Sequence, residues 1–269
     1  MTRSIFLIGS LVLTVAACDS SASSEPGEDT PLPADTVSGD PDLGQQPVDP
    51  AEITWIPIPA GSSEMGCVEG DEDCYDAETP RHEVTLAAFE MTRTEITQRQ
   101  YEAVTGENPS AFSDCQDCPV EYVNWEDAKA FCEGLGGSLP SETQWEYAAR
   151  GGSTTIYGCG NDSACLEEVA WFNDNAMNTT HEVALKAANG FGLYDMLGNV
   201  WEWVEECWHD DYTEDPPTDG SVWEGGDCVY RVLRGGAYGV TARGLRISNR
   251  DGDYLDGYLV PSPGFRCVK

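Results

Sequence analysis

The side chains able to do chemistry in this chain are mostly thiols and carboxylates: eleven cysteines and 48 Asp and Glu, beside three histidines. The spacings Cys67/Cys74, Cys115/Cys118 and Cys159/Cys165 do not form the repeated CxxC pairs that a zinc site needs. Cys115-Gln-Asp-Cys118 has the spacing of a redox motif, but no βαβ pattern surrounds it, so a structural loop is expected there. His82, His181 and His209 are scattered, and His82 falls in the strand-like RHEVTL, where a structural role is expected. No nucleophile-elbow motif is present to support a Ser-His-Asp triad. Asp195 and Glu202 are different. They flank a short Gly-containing loop, so two carboxylates and the carbonyls between them can converge on a hard, oxygen-seeking cation such as calcium.

The charge balance narrows the partners. Lys and Arg number 14, and the formal net charge is −34, a field that repels phosphate backbones. Nucleic-acid binding is therefore not expected. Most of these carboxylates serve to solubilise the surface.

So many cysteines imply oxidised pairs, hence export. The N-terminus agrees with export. Arg3 precedes an apolar stretch over 5–15 that is too short to span a bilayer, and Val15-Ala16-Ala17-Cys18 follows. This pattern resembles a lipobox, which makes 1–17 a signal peptide and Cys18 a lipidated first residue anchoring the protein to the cell envelope. Without Cys18, ten cysteines remain, an even number that can pair completely. Residues 18–52 are Ser-, Gly-, Pro- and acid-rich with no Lys or Arg, and read as a disordered tether. One domain is expected over 53–269.

Its opening, ITWIPIPAG, alternates like a strand ending at Gly61. Three helices are legible. Thr97 precedes QRQYEAVTG, with Tyr101 and Val104 on one side and Gly106 as the stop. Asn124 opens a second that buries Ala128, Phe131, Cys132 and Leu135 and ends at Gly136. Ser141-Glu-Thr-Gln144 is a capping box for a third, which carries Trp145, Ala148 and Ala149 inward and stops at Gly151-Gly152. Beyond it the chain is turn-rich, with few recognisable elements, and needs staples or a metal to stay ordered.

Five segments, read in order, resemble the sulfatase-modifying-factor (formylglycine-generating-enzyme) family. They are IPAGSSEMG (58–66), FEMTRTEITQRQY (89–101), PVEYVNWEDAKAFC…SLPSETQWEYAARGG (119–152), GFGLYDMLGNVWEW (190–203) and RVLRGGAY…GFRCV (231–268). The resemblance implies an α+β, C-type-lectin-like fold elaborated by long loops. It implies a structural calcium held by side chains at Asp195 and Glu202 and by carbonyls at Gly198 and Val200. It also implies a disulfide between Cys132 and Cys267. The short-range pairs Cys67/Cys74, Cys115/Cys118 and Cys159/Cys165 would each close a tight loop, leaving Cys207 with Cys228, which is one of many connectivities. The family's second calcium loop has no match in the short AWFNDNAMNTTHEV.

The resemblance breaks at the chemistry. Active members oxidise the cysteine of a Cys-x-Pro-x-Arg segment of sulfatases, using two cysteines five residues apart that hold copper(I). Those positions are Val240 and Leu245 here, and an active-site hydroxyl is replaced by Ala237. No copper is expected. Two functions of different class follow. The first is a non-catalytic or divergent binding module presenting acids and tryptophans (Trp171, Trp203, Trp208 and Trp223 are candidates) to an envelope protein, peptide or glycan. The second is an oxidoreductase of the same family that acts on a secreted peptide or metabolite by other means. Perturbed titratable groups beside Val240 and Leu245 would favour the second.

Overall fold

A computed structural model describes residues 53–254 and 263–269. The signal peptide, Cys18 and the 18–52 tether lie outside the described residues. The apolar opening forms a strand as expected, but it ends at Ile58, and Gly61 starts a second strand. β1 (Trp55–Ile58) pairs antiparallel with β4 (Phe89–Thr92), whereas β2 (Gly61–Met65) pairs antiparallel with β3 (His82–Leu86). The break falls at Pro59, which has no amide to carry a ladder onward.

The three expected helices are present, each started by its own side chain. In α1 (Gln98–Thr105), Thr97 accepts from the Gln100 amide at 3.2 Å and Gln100 accepts from the Thr97 amide at 3.0 Å. Asn124 caps α2 (Trp125–Gly134) by accepting from the Asp127 amide at 2.8 Å. Ser141 and Gln144 form the reciprocal box at the start of α3 (Glu142–Arg150), which ends on Gly151 at φ 54°. Each cap satisfies amides that the first turn cannot. Val104 departs from expectation. Residues 102–107 are all exposed, so the last turn of α1 projects past the core and Val104 faces solvent, leaving Tyr101 to do the packing.

After α3 comes a one-turn helix, α4 (Leu166–Val169), and then more sheet than the sequence suggested. β5 (Glu202–Trp208), β6 (Asp227–Arg234), β7 (Arg250–Tyr254) and β8 (Gly264–Phe265) form one sheet in the order β7-β6-β5-β8, with β8 parallel to β5 and the other pairs antiparallel. β5 reads EWVEECW, with Glu202 and Glu206 as buried as Trp203 and Val204, so the in–out alternation that marks a half-buried strand is missing.

Two apolar clusters make the core. One gathers Trp145, Leu193, Met196, Val204 and Leu245; the other gathers Tyr101, Phe131, Trp203, Leu233 and Phe265. Trp203 is therefore core and not a contact residue: it is fully buried, and its indole donates to the Val123 carbonyl at 2.9 Å. Arginines are threaded through this interior. Arg234 pairs with Glu146, Arg246 with Glu78, Arg250 with Glu142 and Arg266 with Glu202, every one of these side chains being at most 3% exposed. Removing one partner of such a pair strands a buried charge, at a cost of roughly 3–5 kcal/mol.

Five disulfides staple the loops: Cys67–Cys74, Cys115–Cys118, Cys132–Cys267, Cys159–Cys165 and Cys207–Cys228. Cys132–Cys267 joins α2 to the chain just past β8 across a separation of 135 residues. Disulfides at this density mark an extracytoplasmic protein.

Candidate functional site

The loop between Asp195 and Glu202 folds through three left-handed residues, Asp195 (φ 54°), Gly198 (φ 82°) and Asn199 (φ 56°). Gly198 is required by contact as well as by φ, because a Cβ there would lie 2.2 Å from the Trp171 carbonyl oxygen. These turns carry Asp195 inward to 3% exposure and bring Glu202, at 1%, to the start of β5.

The two carboxylates have unlike surroundings. Asp195 Oδ2 accepts from the Ala184 amide at 2.7 Å, while Oδ1 is buried with no hydrogen-bond partner. Burial pushes the Asp195 carboxyl up to about 6. Both Glu202 oxygens are engaged: Oε2 accepts from Trp145 Nε1 and Arg266 Nε, each at 2.7 Å, and Oε1 accepts from Arg266 Nη2 at 2.7 Å. A third carboxylate escaped the sequence reading. Glu95, in the turn between β4 and α1, is fully buried; it accepts from Asn199 Nδ2 at 2.8 Å and from the Val200 amide at 3.1 Å. Burial, and then the charges of Asp195 and Glu202, hold its carboxyl well above the usual range.

The cluster therefore sets Glu95, Asp195 and Glu202 against the single guanidinium of Arg266. A hard cation suits this donor set: it would complete the unpartnered Oδ1 and offset the surplus negative charge. No choice of one oxygen from each of the three carboxylates brings all three within 4.8 Å of one another, so a cation here needs backbone carbonyls as well. Among the described residues, the one tight group of potential metal ligands is Cys67, Asp71 and Cys74, and its two sulfurs are spent on a disulfide.

The positions that would carry a thiol pair lie nearby but are apolar. Tyr238 donates its amide to the Asn199 carbonyl at 2.8 Å, and Val240 accepts from the Asn173 amide at 3.0 Å, which ties this turn to the Asp195 loop and to the chain after α4. Leu245 and Ala237 are fully buried, and Leu245 belongs to the same apolar cluster as Tyr157, Leu193 and Ile247. Among titratable groups close by in the chain, Arg246 is ion-paired with Glu78, and Tyr238 lies in the field of Glu121. Burial pushes the Tyr238 hydroxyl and the Glu121 carboxyl up, and Glu121 accepts from the Phe112 amide at 2.8 Å.

The remaining tryptophan candidates fall into two groups. Trp171 stacks on His181 (ring centroids 3.9 Å apart), and the Lys186 ammonium lies over its ring, 4.1 Å from the centroid. Trp208 and Trp223 belong to the segment closed by Cys207–Cys228, where Trp208 lies under Arg250 and Trp223 stacks on His209 at 3.7 Å. A cavity of about 340 Å³ opens at the C-terminal end of α3, walled by Tyr157, Leu193, Met196 and Leu197, with Asp195 among its lining residues.

Sheet, loops and site together define a C-type-lectin-like fold, mixed α/β with much irregular structure. Residues 40–269 match the sulfatase-modifying factor enzyme 1-like domain, and the chain belongs to that family. It is 30% identical over 251 residues to the serine/threonine-protein kinase pkn1 of Chlamydia pneumoniae, covering 82% of this chain and 38% of the kinase. It is 35% identical over 165 residues to the inactive C-alpha-formylglycine-generating enzyme 2 of Bos taurus, covering 56% of this chain and 50% of that one. The chain thus spans half or less of the length of these relatives. Among solved structures, Treponema denticola variable protein 1 superposes with a TM-score of 0.72 at 29% identity, covering 80% of this chain and 94% of that protein.

Proposed function

We propose that this protein is a non-catalytic binding module of the sulfatase-modifying-factor family, held at the cell envelope by a lipidated Cys18 and presenting its loops to an envelope protein, peptide or glycan. The observation that carries the reading is Leu245. It fills a thiol position with a side chain that is fully buried in the apolar core. Neither it nor Val240 offers copper(I) a ligand atom, and the ten cysteines of the described residues are all spent on disulfides. The bovine relative, inactive by name, supports the same reading. The Asp195 loop is then a structural calcium site, with Asp195, Glu202 and the carbonyls of Gly198 and Val200 as its ligands. The ion would fix the loop that packs against the Tyr238–Val240 turn and would take part in no reaction.

A copper(I) competition titration of the purified protein tests this. The titration should show no site that competes with a bicinchoninate indicator. One tight equivalent of copper(I) would overturn the proposal.

A further inference from the structure

Glu95 bears on the cation reading in a way the loop alone does not. Its carboxylate comes from a turn more than a hundred residues away in sequence, yet both oxygens are spent on the loop itself, on the Asn199 side chain and the Val200 amide. The Asn199 side chain also donates to the His181 carbonyl and accepts from the His181 amide, so Glu95 fixes the Asn199–Val200 peptide directly and, through that side chain, the His181 backbone. Arg266 does not answer its charge by contact. That guanidinium is bidentate on Glu202 and donates its other hydrogens to the carbonyls of Thr92 and Tyr194. A fully buried carboxylate without a contacting cation is costly to keep. Beside it, Asp195 Oδ1 is a buried acceptor with nothing to accept from.

We infer that Glu95 is a positioning residue for a divalent cation at the Asp195 loop: it clamps the Asn199–Val200 peptide and the Asn199 side chain, and so holds in place the backbone carbonyls that a cation beside the unpartnered Asp195 Oδ1 would need. The ion would be held by Asp195, Glu202 and those carbonyls; Glu95 acts through the peptide it holds. This inference rests on the calcium reading above.

The test compares the full chain with its Glu95→Gln variant, each stripped with EDTA and titrated with calcium alone, following both melting temperature and calorimetric Kd. The amide keeps the size of the side chain but only one of its two acceptors. The expected variant binds calcium at least ten-fold more weakly. A Glu95 that is only a packing group would lower the calcium-free melting temperature and leave Kd unchanged, which overturns the inference. A wild type that ignores millimolar calcium overturns the cation reading as a whole. If Glu95→Gln fails to fold, the wild type still decides. Potassium at 100 mM should not reproduce the calcium-induced rise in melting temperature, and a potassium effect of equal size overturns the assignment to a divalent cation.

Discussion

Replacing Cys132 and Cys267 together by alanine removes the bond that closes the longest disulfide loop among the described residues, a separation of 135 residues. In the chain-entropy treatment, a loop of that length restricts the unfolded chain by about 5 kcal/mol at 25 °C, against about 3 kcal/mol for the 21-residue separation of Cys207–Cys228. Both cysteines are fully buried in the apolar cluster that holds Phe131 and Phe265, so loss of their sulfurs also leaves a void in that core. A typical domain is stable by only 5–15 kcal/mol, so this one bond is a large share of the total. Urea unfolding followed by tryptophan fluorescence measures it. With a slope near 3 kcal/mol/M, the midpoint should fall by roughly 1.5 M. The control is Cys115→Ala/Cys118→Ala, which opens a separation of only three residues and should move the midpoint far less. Equal shifts for the two double variants, or a loss below about 1 kcal/mol for Cys132/Cys267, would refute the view that long-range closure stabilises this loop-rich fold.

Glu206 gives a pH prediction. It is fully buried, and burial, then the neighbouring Glu142 charge, push its carboxyl up to about 8. Because the folded value is raised, its stabilisation is complete below the unfolded carboxylate range and is lost as pH rises from there through about 8, on the order of 5 kcal/mol in all. Glu206→Gln should flatten this decline relative to wild type in unfolding measured from pH 5 to 9; parallel profiles would contradict it. Gly198→Ala places a methyl 2.2 Å from the Trp171 carbonyl at a positive φ, and should cost more than about 2 kcal/mol in the same assay. Cys18→Ser should release the protein from membranes in a fractionation experiment; equal membrane association of mutant and wild type would remove the lipid anchor from the account.

What the sequence disclosed, and what it hid, have separable physical causes. Helices α1 to α3 were legible because their start signals are local: Thr97 with Gln100, Asn124 with Asp127, Ser141 with Gln144. The Asp195–Glu202 loop was legible because its carboxylates sit seven residues apart around a glycine. The sheet β5–β8 was not, since its central strand buries Glu202 and Glu206 beside tryptophans and so shows no alternation. Glu95 and Arg266 were missed for a related reason. Glu95 is one of three charges in FEMTRTEI and Arg266 the one charge in GFRCV, and their partners lie 64 to 174 residues away, beyond any spacing rule. The lone arginine inside GFRCV was the available signal, and it marks a buried pair only once the fold is known. Trp203 shows the converse: residue type suggested a contact surface, and burial made it core.

The proposed function requires that this chain leave a sulfatase-type cysteine unoxidised, since Val240 and Leu245 offer no thiol at the positions where the family resemblance places the copper ligands. The most direct test incubates the purified protein with a Cys-x-Pro-x-Arg peptide, oxygen and a reductant, with and without copper, and weighs the peptide by mass spectrometry. The account predicts an unchanged cysteine under both conditions; loss of the peptide's sulfur with gain of an aldehyde would contradict it.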